Sequence, residues 1–214
     1  MDREEHEKIK KRMADLMHED QKLNEYLTLI REQNNDNLID ILGLQKTGKG
    51  YRFDFFNRPI LFDFQDFVDL SGEELSLPIK IVLCKYLLNC PHPSLEKSVR
   101  LVTFREFPEA GPLFYRFAEN TSKTIEQTFS KRMEALERKC RQIYGIPVSN
   151  ASYDLSIRLK ALPKIPITLQ FNDVDEMLPA KAVFLFHEDA VNYLDLKSLG
   201  SITTYLTGHL IKAL

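Results

Sequence analysis

The sequence has few of the features that mark exported or membrane proteins. It contains only three cysteines in 214 residues, too few for a disulfide framework, and we interpret them as reduced thiols. No apolar run approaches the length of a membrane-spanning helix. The N-terminus, MDREEHEKIKKRM, is charged throughout, unlike a secretory signal peptide. We therefore expect a cytoplasmic protein with no membrane partner.

The chain also lacks an excess of basic charge. Its formal net charge is -2, so the positive field that attracts nucleic acid is absent and no nucleic-acid partner is expected. Apolar residues make up 43% of the chain and 14 residues are phenylalanine, which is enough for a substantial core. The length suits one domain, or one domain with an extension.

Common catalytic and cofactor motifs are missing or incomplete. Residues 43–49 fit the phosphate-loop spacing G-x-x-x-x-G-K, but Gly50 stands where magnesium binding needs Ser or Thr. The segment also follows a predicted helix and precedes a predicted strand, so we interpret it as a flexible turn. Cys90 and His92 supply two metal ligands at most, and Cys84 does not converge with Cys90, so the identity of any metal stays open. No Cys-x-x-Cys, Gly-x-Ser-x-Gly or His-Glu-x-x-His is present.

The spacing of apolar residues predicts an α+β fold. Strict alternation in the segment 51–64 predicts a β-hairpin, and spacings of three and four predict helices. We expect an antiparallel sheet with helices packed mainly on one face. The predicted helices cover residues 2–33, 34–44, 71–89, 121–143 and 194–214, and the later strands cover residues 153–162, 165–171 and 181–187.

The N-terminal helix has two possible roles. We divide the chain into an amphipathic helical extension, residues 1–33, and a single α+β domain, residues 34–214. The apolar stripe of the extension packs on the core of the same chain, or it pairs with a second copy to form a homodimer. The stripe consists of Ile9, Met13, Leu16, Leu23, Leu27 and Ile30.

The segment TFREFPEAGPLFY, residues 103–115, places Arg105 and Glu106 side by side between two phenylalanines. In an extended run, neighbouring side chains point to opposite faces, so the two are not expected to act as a catalytic pair. A partly buried arginine needs a carboxylate partner, and the turn Asp175–Glu176 is the predicted source. We interpret the segment as a structural clamp, with anion binding by Arg105 and direct catalysis as alternatives.

Polar clusters near strand ends are further candidates for chemistry. Carboxylates in turns are usually solvated or cap backbone amides, and the alternatives are cation binding and acid–base catalysis. The helix predicted over residues 122–141 is mildly basic, which suits a solvated face, an anionic cofactor or an acidic partner. The two clusters are Asp173, Asp175 and Glu176, and His187, Glu188 and Asp189.

Three segments, residues 77–89, 104–117 and 173–199, resemble a prokaryotic family described as domain of unknown function 3786, found mainly in anaerobic bacteria and archaea. The resemblance extends from about residue 25 to the C-terminus. The chain departs from the family pattern at Met177–Leu178, where Glu-Phe is usual, and at His187, where aspartate is common.

The resemblance implies a link to corrinoid or one-carbon metabolism. Some members are fused to a four-cysteine iron–sulfur domain like that of corrinoid iron–sulfur proteins, a domain that this chain lacks. A tetrapyrrole, cobamide or haem, is therefore the implied cofactor, and His187 is its candidate axial ligand.

From these observations we expect a non-catalytic binding or accessory domain for a cofactor or a protein partner. Its pocket is predicted between sheet and helices. One alternative is an enzyme that uses Asp175, Glu176 and His187 as acid and base in one concave site. Another is a module that homodimerises through the N-terminal helix. The candidate ligand-binding residues are Arg105, Glu106, Tyr115, Asp175, Glu176 and His187, of which Arg105, Tyr115 and His187 are predicted to edge the pocket.

Overall fold

A computed structural model describes residues 3–33, 38–89, 91 and 98–212, with side chains except those of residues 3–17, 113 and 117. Six α-helices and two antiparallel sheets lie in these ranges, which confirms the predicted α+β class. The helices are α1 (Arg3–Glu32), α2 (Leu38–Leu42), α3 (Leu77–Leu88), α4 (Pro112–Phe129), α5 (Met133–Gln142) and α6 (Leu196–Ile211). The strands are β1 (Gln45–Thr47), β2 (Gly50–Phe55), β3 (Arg58–Phe62), β4 (Phe67–Asp69), β5 (Leu101–Thr103), β6 (Ile146–Pro147), β7 (Leu155–Leu162), β8 (Ile165–Asn172) and β9 (Lys181–His187).

The first sheet is a four-stranded meander in the order β1-β2-β3-β4. Phe56 and Asn57 form the tight turn between β2 and β3 and both have positive φ, at 47° and 61°, as a two-residue hairpin turn requires. The predicted hairpin is therefore confirmed. The flexible turn predicted over residues 43–49 is partly wrong, because Gln45–Thr47 pairs with β2 as a strand.

The second sheet has the order β5-β9-β8-β7-β6, and all of its pairs are antiparallel. Ile157, Leu169 and Phe184 are opposite one another across β7, β8 and β9, and all three are buried. Since alternate residues of a strand share a face, this is the apolar face of the sheet. Helix α4 packs on β9 and α5 packs on β7. The three predicted strands are confirmed, but the strands of the chain form two sheets where the sequence predicted one.

Helix α3 begins six residues later than the apolar pattern predicts. Ser71 does not cap it, because the backbone N–H and the hydroxyl of Ser71 both donate to the carboxylate of Asp69, at 2.7 Å and 2.5 Å. These bonds hold residues 69–72 in a turn. The helix starts only where Pro78 stands in its first turn, a position where the missing N–H of proline costs nothing.

The single helix predicted over residues 121–143 is two helices. Helix α4 begins at Pro112 and ends at Phe129. Lys131, just beyond its end, takes a left-handed conformation with a φ of 60°. The backbone N–H of Lys131 donates to the carboxylate of Asp173, at 2.7 Å. A contact with a residue 42 positions away thus stabilises a break that no local pattern announces.

The C-terminal part of α1 packs on the core of the chain. Leu27 and Ile30 are buried, Leu23 is partly buried, and the helix contacts α3. The earlier positions of the apolar stripe, Ile9, Met13 and Leu16, lie outside the described side chains. Pairing of that earlier part with a second copy, and the division of the chain at residue 33, stay predictions.

Asp195 caps the N-terminus of α6. Asp195 accepts the backbone N–H of Ser198 at 2.7 Å and the ammonium of Lys85 at 2.5 Å. Burial alone would raise the pKa of Asp195, but the bonds from Lys85 and Ser198 together lower it. We expect Asp195→Ala to lower the free energy of unfolding by about 0.5–2 kcal/mol, measured by urea denaturation. Asp195→Asn keeps a capping oxygen and should cost less; equal losses would contradict a capping role.

Candidate functional site

A cleft of about 390 Å³ lies between α4, β9 and the short 3₁₀ turn Phe104–Glu106. Its apolar surface comes from the rings of Phe104, Phe184 and Phe186, which are themselves almost fully buried. Its charged surface is made by side chains of α4, of the 3₁₀ turn and of the first residue of β9. These are Arg105, Glu119, Lys123, Glu126 and Lys181.

An aromatic corner fixes the 3₁₀ turn on the sheet. The ring of Phe104 contacts the rings of Phe107, Phe114 and Phe186 at centroid distances of 6.2, 6.3 and 5.8 Å. Phe186 comes from β9 and Phe114 from α4, so the corner joins three elements. The segment forms a 3₁₀ helix at Phe104–Glu106. The extended conformation predicted from the sequence is therefore wrong there.

Arg105 lies at the mouth of the cleft. It forms an ion pair with Glu119, and its guanidinium carbon is 5.7 Å from the centre of the Tyr115 ring, within cation–π range. The side chain is 61% exposed, so it is not the partly buried arginine that the sequence suggested. The carboxylate partner comes from α4, and the predicted pairing with the turn Asp175–Glu176 is wrong.

Glu106 points away from this pair and belongs to a separate surface network. Its carboxylate accepts the backbone N–H and the hydroxyl of Thr103, at 2.7 Å and 3.0 Å. These two bonds hold the pKa of Glu106 below its usual value, and the bond from the backbone N–H has the larger effect. Arg100 then joins Glu106 to Glu188, at 3.3 Å and 3.0 Å. Glu106 therefore acts as a cap for the turn in this structure.

His187 is outside the cleft, although the sequence predicted it at the edge of the same pocket. Its Nδ1 is 3.0 Å from the backbone carbonyl of Ser98. Because a carbonyl oxygen only accepts, this nitrogen carries the proton and donates. The other ring nitrogen, Nε2, is then the one with a lone pair available for a ligand.

Asp175 and Glu176 lie in the loop between β8 and β9, at the opposite end of β9 from His187. The carboxylate of Asp175 accepts the backbone N–H groups of Met177 and Leu178, both at 2.7 Å, and these bonds lower its pKa. A seven-residue strand spans about 20 Å. The structure therefore does not bring Asp175, Glu176 and His187 into one concave site, as the acid–base hypothesis requires.

A family model whose description is Domain of unknown function (DUF3786) matches residues 36–209. The chain belongs to this family. The match confirms the resemblance and includes every residue of the cleft. No curated protein and no solved structure matches the chain. Membership alone assigns no activity, because one fold serves many functions.

Among the described helices, none is long and apolar enough to cross a membrane. The described residues contain no group of three or more His, Cys, Asp or Glu side chains arranged to hold a metal ion. Cys84 and Cys140 are buried, and burial raises the pKa of each thiol to about 12. Cys90 and His92 lie outside the described residues.

Most of the charged residues of the cleft are not among the site residues predicted from the sequence. The signal that identifies them is the spacing along α4: Tyr115, Glu119, Lys123 and Glu126 follow one another at intervals of four, four and three, which places them on one helix face. Glu126 also accepts the backbone N–H of Ala182 at 2.9 Å, in the part of β9 that does not pair with β5. This bond explains why α4 stays beside the strand.

Proposed function

We propose that the protein is a non-catalytic binding or accessory domain whose cleft binds a small molecule with an apolar body and an anionic group. The observation that carries the proposal is the combination of an aromatic interior with three cationic side chains at the rim. Two of the six predicted ligand-binding residues, Arg105 and Tyr115, contribute to this cleft.

The charges at the rim favour an anion. Arg105 is paired with Glu119, and the ammonium of Lys181 is 3.7 Å from the carboxylate of Glu126. Lys123 is the third cation that lines the cleft, so the rim holds three cations and two carboxylates. The excess of one positive charge draws an anionic group to the mouth. Because the three cationic side chains are exposed, each contact that they make with the anion is expected to contribute only about 0.2–1 kcal/mol.

The size of the cleft limits the ligand. Its 390 Å³ is near the lower end of the range of about 300–1,000 Å³ typical of small-molecule sites. The apolar part of the lining, which includes Phe104, Phe184 and Ala118, offers the contact that stabilises the apolar body of the ligand. A medium-chain carboxylate such as octanoate fits this description and is a suitable first probe.

The first experiment compares octanoate with octanamide, which has the same chain and no charge, by isothermal titration calorimetry on the full chain. Octanoate should bind more tightly than octanamide. Ala118→Leu, which adds bulk inside the cleft, should abolish binding of both, whereas Gln127→Leu on the exposed side of α4 should leave it unchanged. Equal binding of the two probes, or binding that survives Ala118→Leu, would argue against the proposal.

Lys123, the third cation of the cleft, leads to a quantitative prediction about the affinity for octanoate. Lys123→Gln should weaken octanoate binding about two- to fivefold, as expected for one exposed charge pair, and should leave octanamide binding unchanged. The effect should shrink as the salt concentration rises. Lys160→Gln, on the other face of the second sheet, is the matched control. A loss of the same size for both ligands would show that Lys123 does not act through charge.

The link to corrinoid, haem or one-carbon metabolism is part of the proposal and rests on the family resemblance alone. His187, the candidate axial ligand, has Nε2 available but lies outside the cleft. The test is an absorption titration of protein purified without oxygen, using hydroxocobalamin and haem. A stoichiometric spectral change that His187→Ala removes would support a tetrapyrrole site, and an unchanged spectrum with both compounds would contradict it. A cytoplasmic location and a protein partner remain predictions.

A further inference from the structure

A second cavity, of about 200 Å³, shares no residue with the cleft. It lies where the turn between β2 and β3 meets the C-terminal end of α5 and the C-terminal half of α6. No sequence pattern selects these residues, since the turn is typical of a hairpin and α6 is typical of a packing helix. The residues that matter here are Phe56, Arg58, Glu73, Tyr144, Tyr205 and His209.

Aromatic rings form the walls of this cavity. The ring of Tyr205 is nearly parallel to the rings of Phe56 and His209, with interplanar angles of 22° in both pairs and centroid distances of 5.7 Å and 6.1 Å. Tyr144 adds a fourth ring that is 70% exposed. It has a φ of 60°, which is unusual for a tyrosine. Flat aromatic walls favour a flat ligand, because stacked rings bury area without loss of shape complementarity.

The hydroxyl of Tyr205 is the hydrogen-bond donor that the cavity lining offers to a ligand. Arg58 donates through its two terminal nitrogens to Asp69 and to the phenol oxygen of Tyr205. The Nε–H of Arg58 has no partner among the described residues, but it is buried and a ligand atom does not reach it. Tyr205 accepts the bond from Arg58, so its own O–H remains to donate.

The charges of this cavity do not favour an anion. Arg58 is already paired with the buried carboxylate of Asp69, and the carboxylate of Glu73 is 3.2 Å away. Burial lowers the pKa of His209, which keeps the ring neutral at pH 7; Arg58, Lys212 and Lys139 act on this pKa in the same direction, and Glu73 opposes them. Burial raises the pKa of Tyr205, so its phenol keeps its proton. The site therefore offers one donor, the hydroxyl of Tyr205, and an anionic acceptor, Glu73, without excess positive charge.

We propose that this cavity binds a neutral, planar heteroaromatic ring that bears a carbonyl oxygen, of the size of a nucleobase. The ring stacks on the exposed ring of Tyr144 and lies beside the stacked pair Phe56–Tyr205. Its carbonyl oxygen accepts from the hydroxyl of Tyr205, and a ring N–H donates to Glu73. The volume of about 200 Å³ is below the range of drug-sized pockets, about 300 Å³ and more, which suits one or two fused rings.

The test is a ligand-observed NMR titration of the full chain with hypoxanthine and with uracil. Purine is the matched probe without a carbonyl, and benzoate is the planar probe with a negative charge. Hypoxanthine or uracil should bind, and purine and benzoate should bind at least about twofold more weakly, the lower value for one lost hydrogen bond. No binding of hypoxanthine or uracil at millimolar concentration, or equal binding of purine or benzoate, would overturn the proposal.

Two variants locate the binding. Tyr205→Phe keeps the ring and removes the hydroxyl, and should weaken hypoxanthine binding about two- to twelvefold. Tyr144→Asn removes an exposed ring at a position whose positive φ suits asparagine, so the fold is kept; it should weaken binding at least about fivefold, as expected for one stacked ring. Tyr153→Asn, at a tyrosine outside both cavities, is the control. Binding that is unchanged in both test variants would overturn the proposal.

Discussion

Replacing Asp69 by Asn is expected to lower the free energy of unfolding by about 3–5 kcal/mol, because it breaks a buried ion pair and leaves the guanidinium of Arg58 with only the exposed carboxylate of Glu73. The side chain of Asp69 is 0% exposed and that of its partner Arg58 is 15% exposed. Asn has nearly the same shape as Asp and can still accept from Ser71. The loss of stability therefore measures the effect of removing the negative charge of Asp69. Urea denaturation at pH 7 measures it.

Glu73→Gln is the matched control for this prediction. Glu73 contacts the same arginine at 3.2 Å, but its side chain is 60% exposed. Exposed pairs contribute about 0–1 kcal/mol, so this variant should be nearly as stable as the parent. Equal losses in the two variants would show that burial does not distinguish the two partners of Arg58.

The same pair predicts a pH dependence. Burial alone would raise the pKa of Asp69, but the bonds from Ser71 and Arg58 bring it below 3.8, its ordinary value. A carboxyl whose pKa is lower in the folded state stabilises the fold above its unfolded pKa, and this stability disappears as the pH falls. The difference in stability between the parent and Asp69→Asn should therefore be constant near neutral pH and shrink below about pH 3.8. A difference that does not change with pH would rule out ionised Asp69 as its cause.

Phe186→Ala is expected to lower the free energy of unfolding by about 3–5 kcal/mol, the usual cost of removing a buried phenylalanine ring. Phe186 is fully buried, and its ring contacts those of Phe104 and Phe107 at 5.8 Å and 6.1 Å. The loss should be accompanied by faster amide hydrogen exchange in residues 103–107, because the 3₁₀ turn loses its contact with the sheet.

Leu185, the residue before Phe186, provides the control variant. Leu185 is on the opposite face of β9 and only partly buried, so Leu185→Ala should cost less and leave exchange in residues 103–107 unchanged. Faster exchange there in both variants would indicate a general loosening of the strand. Exchange that stays slow in Phe186→Ala would mean that the aromatic corner does not hold the turn.

Much of the fold could be predicted because its signals are local. Strands β7 and β8 alternate apolar and polar residues, β9 is apolar between its two end residues, and the turn at Phe56–Asn57 separates two alternating runs. The missed boundaries depend on distant contacts. Lys131 breaks a helix whose apolar spacing continues through it, and the bond that holds the break comes from Asp173. A helical periodicity contains no information about such a partner.

The site was predicted less completely for the same reason. Arg105 and Tyr115 were selected because they lie in one unusual segment, and the structure places them together through α4. The partner of Arg105 could not be identified while the segment was assumed to be extended. Arg58 and Tyr205 are 147 residues apart and meet only after both sheets and α6 have packed. Nothing in the composition of either segment distinguishes such a pair from ordinary surface residues.

The proposed function depends on the binding of an amphipathic anion in the cleft between α4 and β9. The most direct measurement is a map of backbone amide chemical-shift changes during titration of the full chain with octanoate. Binding in the cleft predicts saturable changes confined to residues 103–106, 115–126 and 181–186, absent in Ala118→Leu. Changes spread over the surface, changes centred elsewhere, or no change at saturating octanoate would contradict it.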